Sequence, residues 1–194
     1  MVVLRGLTRL RQLSNHPLLL DQNYRYESGK FNEILRNIEN IIAEGHKLLV
    51  FSSFVKHLEL FERELSERKI RYTMLTGAST HRKDIVNIFQ KNPDCRVFLI
   101  SLKAGGLGLN LTAADYVFIL DPWWNPASES QALNRAHRIG QDKKVFVYRF
   151  ISEKSIEEKI RNLQEKKNKI AETFIHSNNP MKEISREELE DLFT

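Results

Sequence analysis

Two arginines three residues apart, Arg135 and Arg138, stand in the stretch Gln131-Ala-Leu-Asn-Arg-Ala-His-Arg-Ile-Gly-Gln141. At helical spacing their guanidinium groups share one face. A guanidinium is always charged and presents a fork of donors matched to phosphate oxygens, so such a pair can neutralise charge on a phosphoryl group. Two arginines on a helix face are also commonly just solvated, and what singles these out is that their helix leads from a tryptophan-bearing loop and ends at Gly140. His137 falls between them on a different face and reads as a structural hydrogen-bonding residue rather than a base.

Two further segments carry residues able to meet a polyanion. Ser101-Leu-Lys-Ala-Gly-Gly-Leu-Gly-Leu-Asn110 follows an apolar run and holds three glycines within four positions. Glycines there let backbone N–H groups approach a phosphate closely, with Lys103 supplying charge beside them. A dinucleotide-binding fingerprint would need a third glycine where Leu111 stands, and a tight turn without ligand is the alternative. In Asp121-Pro-Trp-Trp-Asn-Pro126 adjacent rings of an extended loop point in different directions. One indole is expected to pack inward while the other faces a ligand; the alternative keeps both as loop-anchoring core. No G-x-x-x-x-G-K-[ST] loop, no acidic pair ending a strand, no H-E-x-x-H, no cysteine pair and no G-x-S-x-G occurs. A self-sufficient hydrolase is hard to build from such a chain.

The elements that must position these segments alternate. Phe31, Ile34, Leu35, Ile38, Ile41 and Ile42 recur at helical spacing, with Gly45 placed to end the helix. Strands are expected at 48–51, 72–75, 97–100, 116–120 and 145–150. Helices fall between them on Leu58, Phe61 and Leu65 and on Ile85, Ile88 and Phe89, the latter capped by Thr80. Strands nearly continuous in apolar character and alternating with helices predict an open parallel α/β sheet covered on both faces, with ligands at the carboxyl ends of its strands. Outside this alternation, residues 4–15 form a helix through Leu4, Leu7, Leu10 and Leu13 that Pro17 stops. Ile156, Ile160, Leu163, Ile170 and Phe174 mark a long charged helix expected to pack back onto the sheet. Residues 177–194 read as a loosely held acidic tail.

Composition narrows the function classes. The 194 residues carry a net charge of +5, distributed as +3 over residues 1–30, zero over 31–130, +5 over 131–176 and −3 over 177–194. Clustered basic residues at the flanks of a neutral core fit attraction to a polyanion, though solvated helix faces give the same picture. The longest apolar run, 116–120, is far short of the ~20 residues that span a bilayer, and no membrane partner is expected. Met1-Val-Val-Leu-Arg lacks the apolar core of a secretory signal, and the single Cys95 excludes a disulfide framework or a cysteine zinc site, so a reducing interior is expected.

On these three loops the sequence resembles the second, C-terminal RecA-like lobe of the Swi/Snf family of DNA-translocating, helicase-like ATPases, over roughly residues 4–165. Leu10-Arg-Gln-Leu-Ser-Asn-His-Pro17 is similar to the family's lead into the lobe, departing at Ser14, where many members have Cys. Lys47-Leu-Leu-Val-Phe-Ser-Ser53 resembles motif four and Leu75-Thr-Gly77 the short motif after it. Residues 103–112 resemble motif five and 131–141 motif six. The resemblance implies that Arg135 and Arg138 are catalytic arginine fingers reaching ATP, with Mg²⁺, held mainly by a first lobe outside this chain. Gly108 and Gln131 would complete the nucleotide side. Ser53, Gly77, Lys103, Asn110 and Trp124 match positions along the DNA, and no resident metal site is implied.

The expected organisation is a lead-in from the first lobe (1–27), the RecA-like lobe (28–152), a long helix packed on it (153–176) and the acidic tail (177–194). The implied function is half of an ATP-driven motor moving on double-stranded DNA, inactive as this chain alone. Its implied partners are the first lobe, duplex DNA and DNA-bound assemblies such as nucleosomes or polymerase. It would work in the nucleoid of a prokaryote or the nucleus of a eukaryote. A strand-separating helicase lobe and a non-catalytic nucleic-acid-binding module remain as alternatives.

Overall fold

The computed structural model describes residues 2–105, 109, 111–123 and 144–176. Helix α1 (Val2–Asn15) leads through a 3-10 turn begun by Pro17 into α2 (Gly29–Ala43). There follow β1 (Leu48–Ser52), α3 (Val55–Glu67), β2 (Tyr72–Leu75), α4 (Arg82–Lys91), β3 (Val97–Ser101), the single turn α5 (Leu102–Gly105), β4 (Tyr116–Ile119), β5 (Phe146–Arg149) and α6 (Ile156–His176). The strands form one parallel sheet in the order β2-β3-β1-β4-β5. The expected open α/β architecture, RecA-like with helices on both faces, is the observed one.

Period-two alternation divides the core. Leu49 and Phe51 of β1, Phe98 and Ile100 of β3, and Val117 and Ile119 of β4 point to the face covered by Phe89 of α4. Leu48, Val50, Val97, Leu99 and Phe118 point to the opposite face, against Phe31, Ile34 and Ile38 of α2 and Leu58, Phe61 and Leu65 of α3. Every residue of β1 and β3 is buried, which is why both read as unbroken apolar runs. The chain runs outward from β1 to β2, returns to β3, then crosses to β4 on the other side of β1, so loops after successive strands gather at one rim.

Helix ends follow local chemistry, with one correction. Ser28 caps α2, its hydroxyl accepting from Phe31 N–H at 3.5 Å. Gly45, at φ +90°, closes α2 with His46 N–H donating to Ile41 O and Gly45 N–H to Ile42 O, both at 3.1 Å. Thr80 does not cap α4: the cap position is His81, left-handed at φ 50°, without a side-chain cap bond. The backbone substitutes, Asp84 N–H donating to His81 O at 2.9 Å.

Helix α1 ends ahead of Pro17 as expected, whereas the long C-terminal helix departs from expectation. In α1, Leu4 is 70%, Leu10 50% and Leu13 48% exposed and Leu7 is half-buried, while Arg11 and Asn15 are buried. Along α6, Ile160 is buried but Leu163 is 42% exposed, and the helix packs mainly beside α1 rather than on the sheet. The reason is polar. Lys30 Nζ donates to both Glu157 carboxylate oxygens at 2.8 Å and to Asn15 Oδ1 at 3.0 Å, Glu157 also accepts from Ser152 N–H at 2.9 Å, and Ser152 Oγ donates to Ser14 O at 3.0 Å. Burial lowers the Lys30 pKa, and the attraction of Glu157 only partly offsets it. Residues 170 and 174 of the expected stripe, and the tail 177–194, lie outside the described side chains.

Candidate nucleic-acid interface

The rim at the carboxyl ends of the strands is organised around Asp121, the first residue after β4 and its Leu120 extension. A fully buried carboxylate requires donors for its oxygens. Ser52 Oγ supplies one at 2.7 Å, and Ser53 N–H donates to both oxygens at 3.1 and 3.0 Å. Arg11 Nη2 adds an ion pair at 3.2 Å, and the same nitrogen donates to Pro122 O at 2.9 Å and Ser53 Oγ at 3.2 Å. The guanidinium carbon stands 5.1 Å from the Phe54 ring centroid. The end of β1, the end of β4 and helix α1 are thus joined at one point.

Ser53 is held in place by its backbone and by Arg11. Gly77 sits on the turn after β2, which Thr76 and Ser79 fix by mutual bonds: Thr76 N–H donates to Ser79 Oγ at 2.8 Å and Ser79 N–H to Thr76 O at 3.2 Å. Arg82 Nη2 donates to Gly77 O at 3.1 Å. A Cβ placed on Gly77 would meet nothing within 4 Å, and its φ lies outside the left-handed region. The lobe's own packing therefore does not demand glycine there. Lys103 follows β3 on α5 with its side chain exposed, while the next residue, Ala104, is buried and anchors the turn. Since β2, β3 and β1 are neighbours, Gly77, Lys103 and Ser53 stand on three adjacent loops.

Trp123 is the inward-packing indole, buried edge-on to Phe51 with ring centroids 6.4 Å apart and its carbonyl accepting from Gln164 Nε2. Gly108, Asn110, Trp124, Gln131, Arg135 and Arg138 lie outside the described residues. The segment around Gly108 is bracketed by core residues Ala104 and Leu111. Sequence reasoning missed Arg11, Asp121 and the Lys30–Glu157 pair as organising groups. Asp121 was detectable as a charge closing an apolar strand, a position that needs a buried partner.

Other titratable groups are structural. His57 is wholly buried among Phe31, Phe61 and His16, and neither ring nitrogen has a hydrogen-bond partner. Burial first, then the charges of Lys30 and His16, hold its pKa well below the ordinary 6.5. Burial raises the Cys95 thiol, leaving it protonated and inert. Among the described residues no cluster of His, Cys, Asp or Glu could hold a metal ion, and no described helix is long and apolar enough to cross a membrane. Asp121, engaged by Arg11 and both serines, does not fit a Mg²⁺ ligand.

Comparison with known proteins agrees with this architecture. Residues 29–140 match the helicase conserved C-terminal domain. The chain is 41% identical over 178 residues to human DNA excision repair protein ERCC-6-like, covering 90% of this chain and 14% of that protein. It is 44% identical over 136 residues to the chromatin-remodeling ATPase INO80 of Schizosaccharomyces pombe, covering 69% of this chain and 8% of that protein. The Sulfolobus solfataricus SWI2/SNF2 ATPase core solved in complex with dsDNA superposes with a TM-score of 0.74 at 33% identity, covering 98% of this chain and 41% of that one. The C-terminal domain of the Sulfolobus solfataricus SWI2/SNF2 ATPase gives 0.71 at 32% identity, covering 98% and 80%. This chain thus spans only a small part of the curated relatives it matches. With its parallel sheet, its rim of strand-end loops and these matches together, the chain belongs to the helicase C-terminal domain family, as the C-terminal RecA-like lobe of the Swi2/Snf2 ATPases.

Proposed function

We propose that this lobe is the second half of an ATP-driven motor on double-stranded DNA, entered from the first lobe through residues 1–27. The observation that carries the reading is the row Gly77, Lys103 and Ser53 on adjacent loops of one rim, in a chain 33% identical to an ATPase core solved with duplex DNA. An open backbone, an exposed ammonium and a fixed hydroxyl suit phosphates, which position a protein without reading sequence. Asn110 and Trp124 extend this grip. Arg135 and Arg138 act as fingers toward ATP held mainly by the first lobe, and Gly108 and Gln131 take part on the nucleotide side. ATP with Mg²⁺ supplies the energy of the cycle. This chain's part is to present donors that stabilise charge at the γ-phosphate, an effect typically worth ~10³–10⁵ in rate. Opening and closing of the cleft then shifts the grip along the duplex. The work follows the chromosome, in nucleus or nucleoid, with nucleosomes or other DNA-bound proteins as obstacles or substrates.

The test is ATP turnover and triplex displacement by the two-lobed protein on duplex and single-stranded DNA, with residues 1–194 alone as control. Turnover stimulated by duplex, absent from the isolated lobe and abolished by Arg135→Ala or Arg138→Ala at near-normal DNA affinity, supports the reading. Unwinding with a single-strand preference would favour the strand-separating alternative. DNA binding without any turnover by the two-lobed protein would favour the non-catalytic one.

A further inference from the structure

Arg11 is unusual as a stabilising residue. It is buried on α1, its partners lie 42 to 111 residues away in sequence, and its Nε has no hydrogen-bond partner. Buried ion pairs contribute little net stability against an apolar replacement, and an unpaired buried donor adds cost. What the guanidinium achieves is geometric: one nitrogen touches Asp121 Oδ1, Pro122 O and Ser53 Oγ. By donating to Ser53 Oγ it occupies a lone pair, so the hydroxyl hydrogen must point away from Arg11. The same contact polarises the hydroxyl, which makes it a stronger donor.

We propose that Arg11 is a positioning residue for the DNA grip: held on Asp121, it aligns the Ser53 hydroxyl as a donor and ties that hydroxyl to the loop opened by Pro122 and Trp123. The proposal rests on the reading of Ser53 as a backbone contact. A shift of α1 is thereby transmitted to the grip through one side chain rather than through the whole sheet.

The test measures duplex affinity of the two-lobed protein across a salt series for Ser53→Ala, Arg11→Lys and the pair Arg11→Met/Asp121→Asn, and for each Arg11 variant combined with Ser53→Ala. Lysine keeps a charge beside Asp121 but lacks the fork, and the paired change removes both charges together. Each is expected to weaken binding about fivefold, the factor one hydrogen bond supplies. Combination with Ser53→Ala should weaken it no further, because both act through one contact. The slope of log K on log salt should not change, since a buried charge releases no counterions. Additive losses overturn the proposal, as does a slope flattened by about one, which would put Arg11 itself on a phosphate. Normal affinity for both Arg11 variants beside a weakened Ser53→Ala overturns it while sparing the Ser53 reading; normal affinity for Ser53→Ala removes both. If neither Arg11 variant folds, Arg11 belongs to the scaffold and the proposal fails.

Discussion

Replacing Gly77 by alanine separates the demands of the fold from those of the grip. The turn at 76–79 is held by Thr76, Ser79 and Arg82, and the new methyl has no heavy atom within 4 Å. The backbone there is not left-handed, so no strain arises. The remaining effect on stability is the reduced freedom of the unfolded chain, which should stabilise the lobe by about 0.4–1 kcal/mol. For a domain of this size that is a rise of roughly 1–4 °C in Tm. On the binding side the methyl projects into the open space where a phosphate backbone would come closest. Losing one close backbone contact costs about 1 kcal/mol, or about fivefold in affinity. No charge is removed, so the salt dependence should stay parallel to the parent's. Thermal unfolding of the lobe and fluorescence anisotropy of the two-lobed protein on labelled duplex measure the two effects. A more stable lobe with unchanged affinity would take Gly77 out of the DNA path. A destabilised lobe would refute the reasoning about the turn itself.

Lys103→Ala should weaken binding equally on unrelated sequences and flatten the log K against log salt slope by about one; an unchanged slope would remove Lys103 from the phosphates. Lys30→Met leaves the buried Glu157 carboxylate without its cation and should cost about 3–5 kcal/mol in urea unfolding, whereas Lys30→Met/Glu157→Leu should lie within ~1 kcal/mol of the parent or above it. Because His57 has a lowered pKa in the fold, the unfolded chain binds a proton that the native state refuses. Stability should therefore fall as pH drops below the ordinary 6.5, by up to about 1.4 kcal/mol per pH unit, and His57→Phe should flatten that acid limb.

The sheet was legible because burial on both faces leaves β1 and β3 with no polar residue before the closing serines Ser52 and Ser101. The end of α2 was legible because its left-handed position is a glycine, Gly45. Helix α3 ends in the same hydrogen-bond pattern, Lys69 N–H to Ser66 O and Ile70 N–H to Leu65 O, but the left-handed residue is Lys69 at φ 58°, so composition gave no sign of it. The orientation of α1 was not legible at all. The residues that face inward, Arg11 and Asn15, do so for partners more than a dozen residues away in sequence, and such pairs leave no periodicity. For the interface, the rule that ligands meet the carboxyl ends of parallel strands pointed to the loop of Lys103, and the resemblance to the Swi/Snf lobe added Ser53 and Gly77; all three follow strands at the same rim. The rule could not reveal Arg11 beneath them, because a rule about loops is silent on which helix supports the loop.

The rim and its support divide electrostatic work in a way that the salt experiments can separate. Lys103 is exposed, so whatever it contributes to a phosphate contact comes with released counterions and fades as salt rises. Arg11 and Asp121 carry charge of the same magnitude but are buried, where ions screen them little. In the proposed grip their effect on binding passes through geometry, at Ser53 and at the Pro122–Trp123 segment. Substitutions around this edge should then fall into two groups, those that change the salt slope and those that shift affinity at constant slope. Depth below the rim, more than distance along the chain from Ser53, decides to which group each belongs.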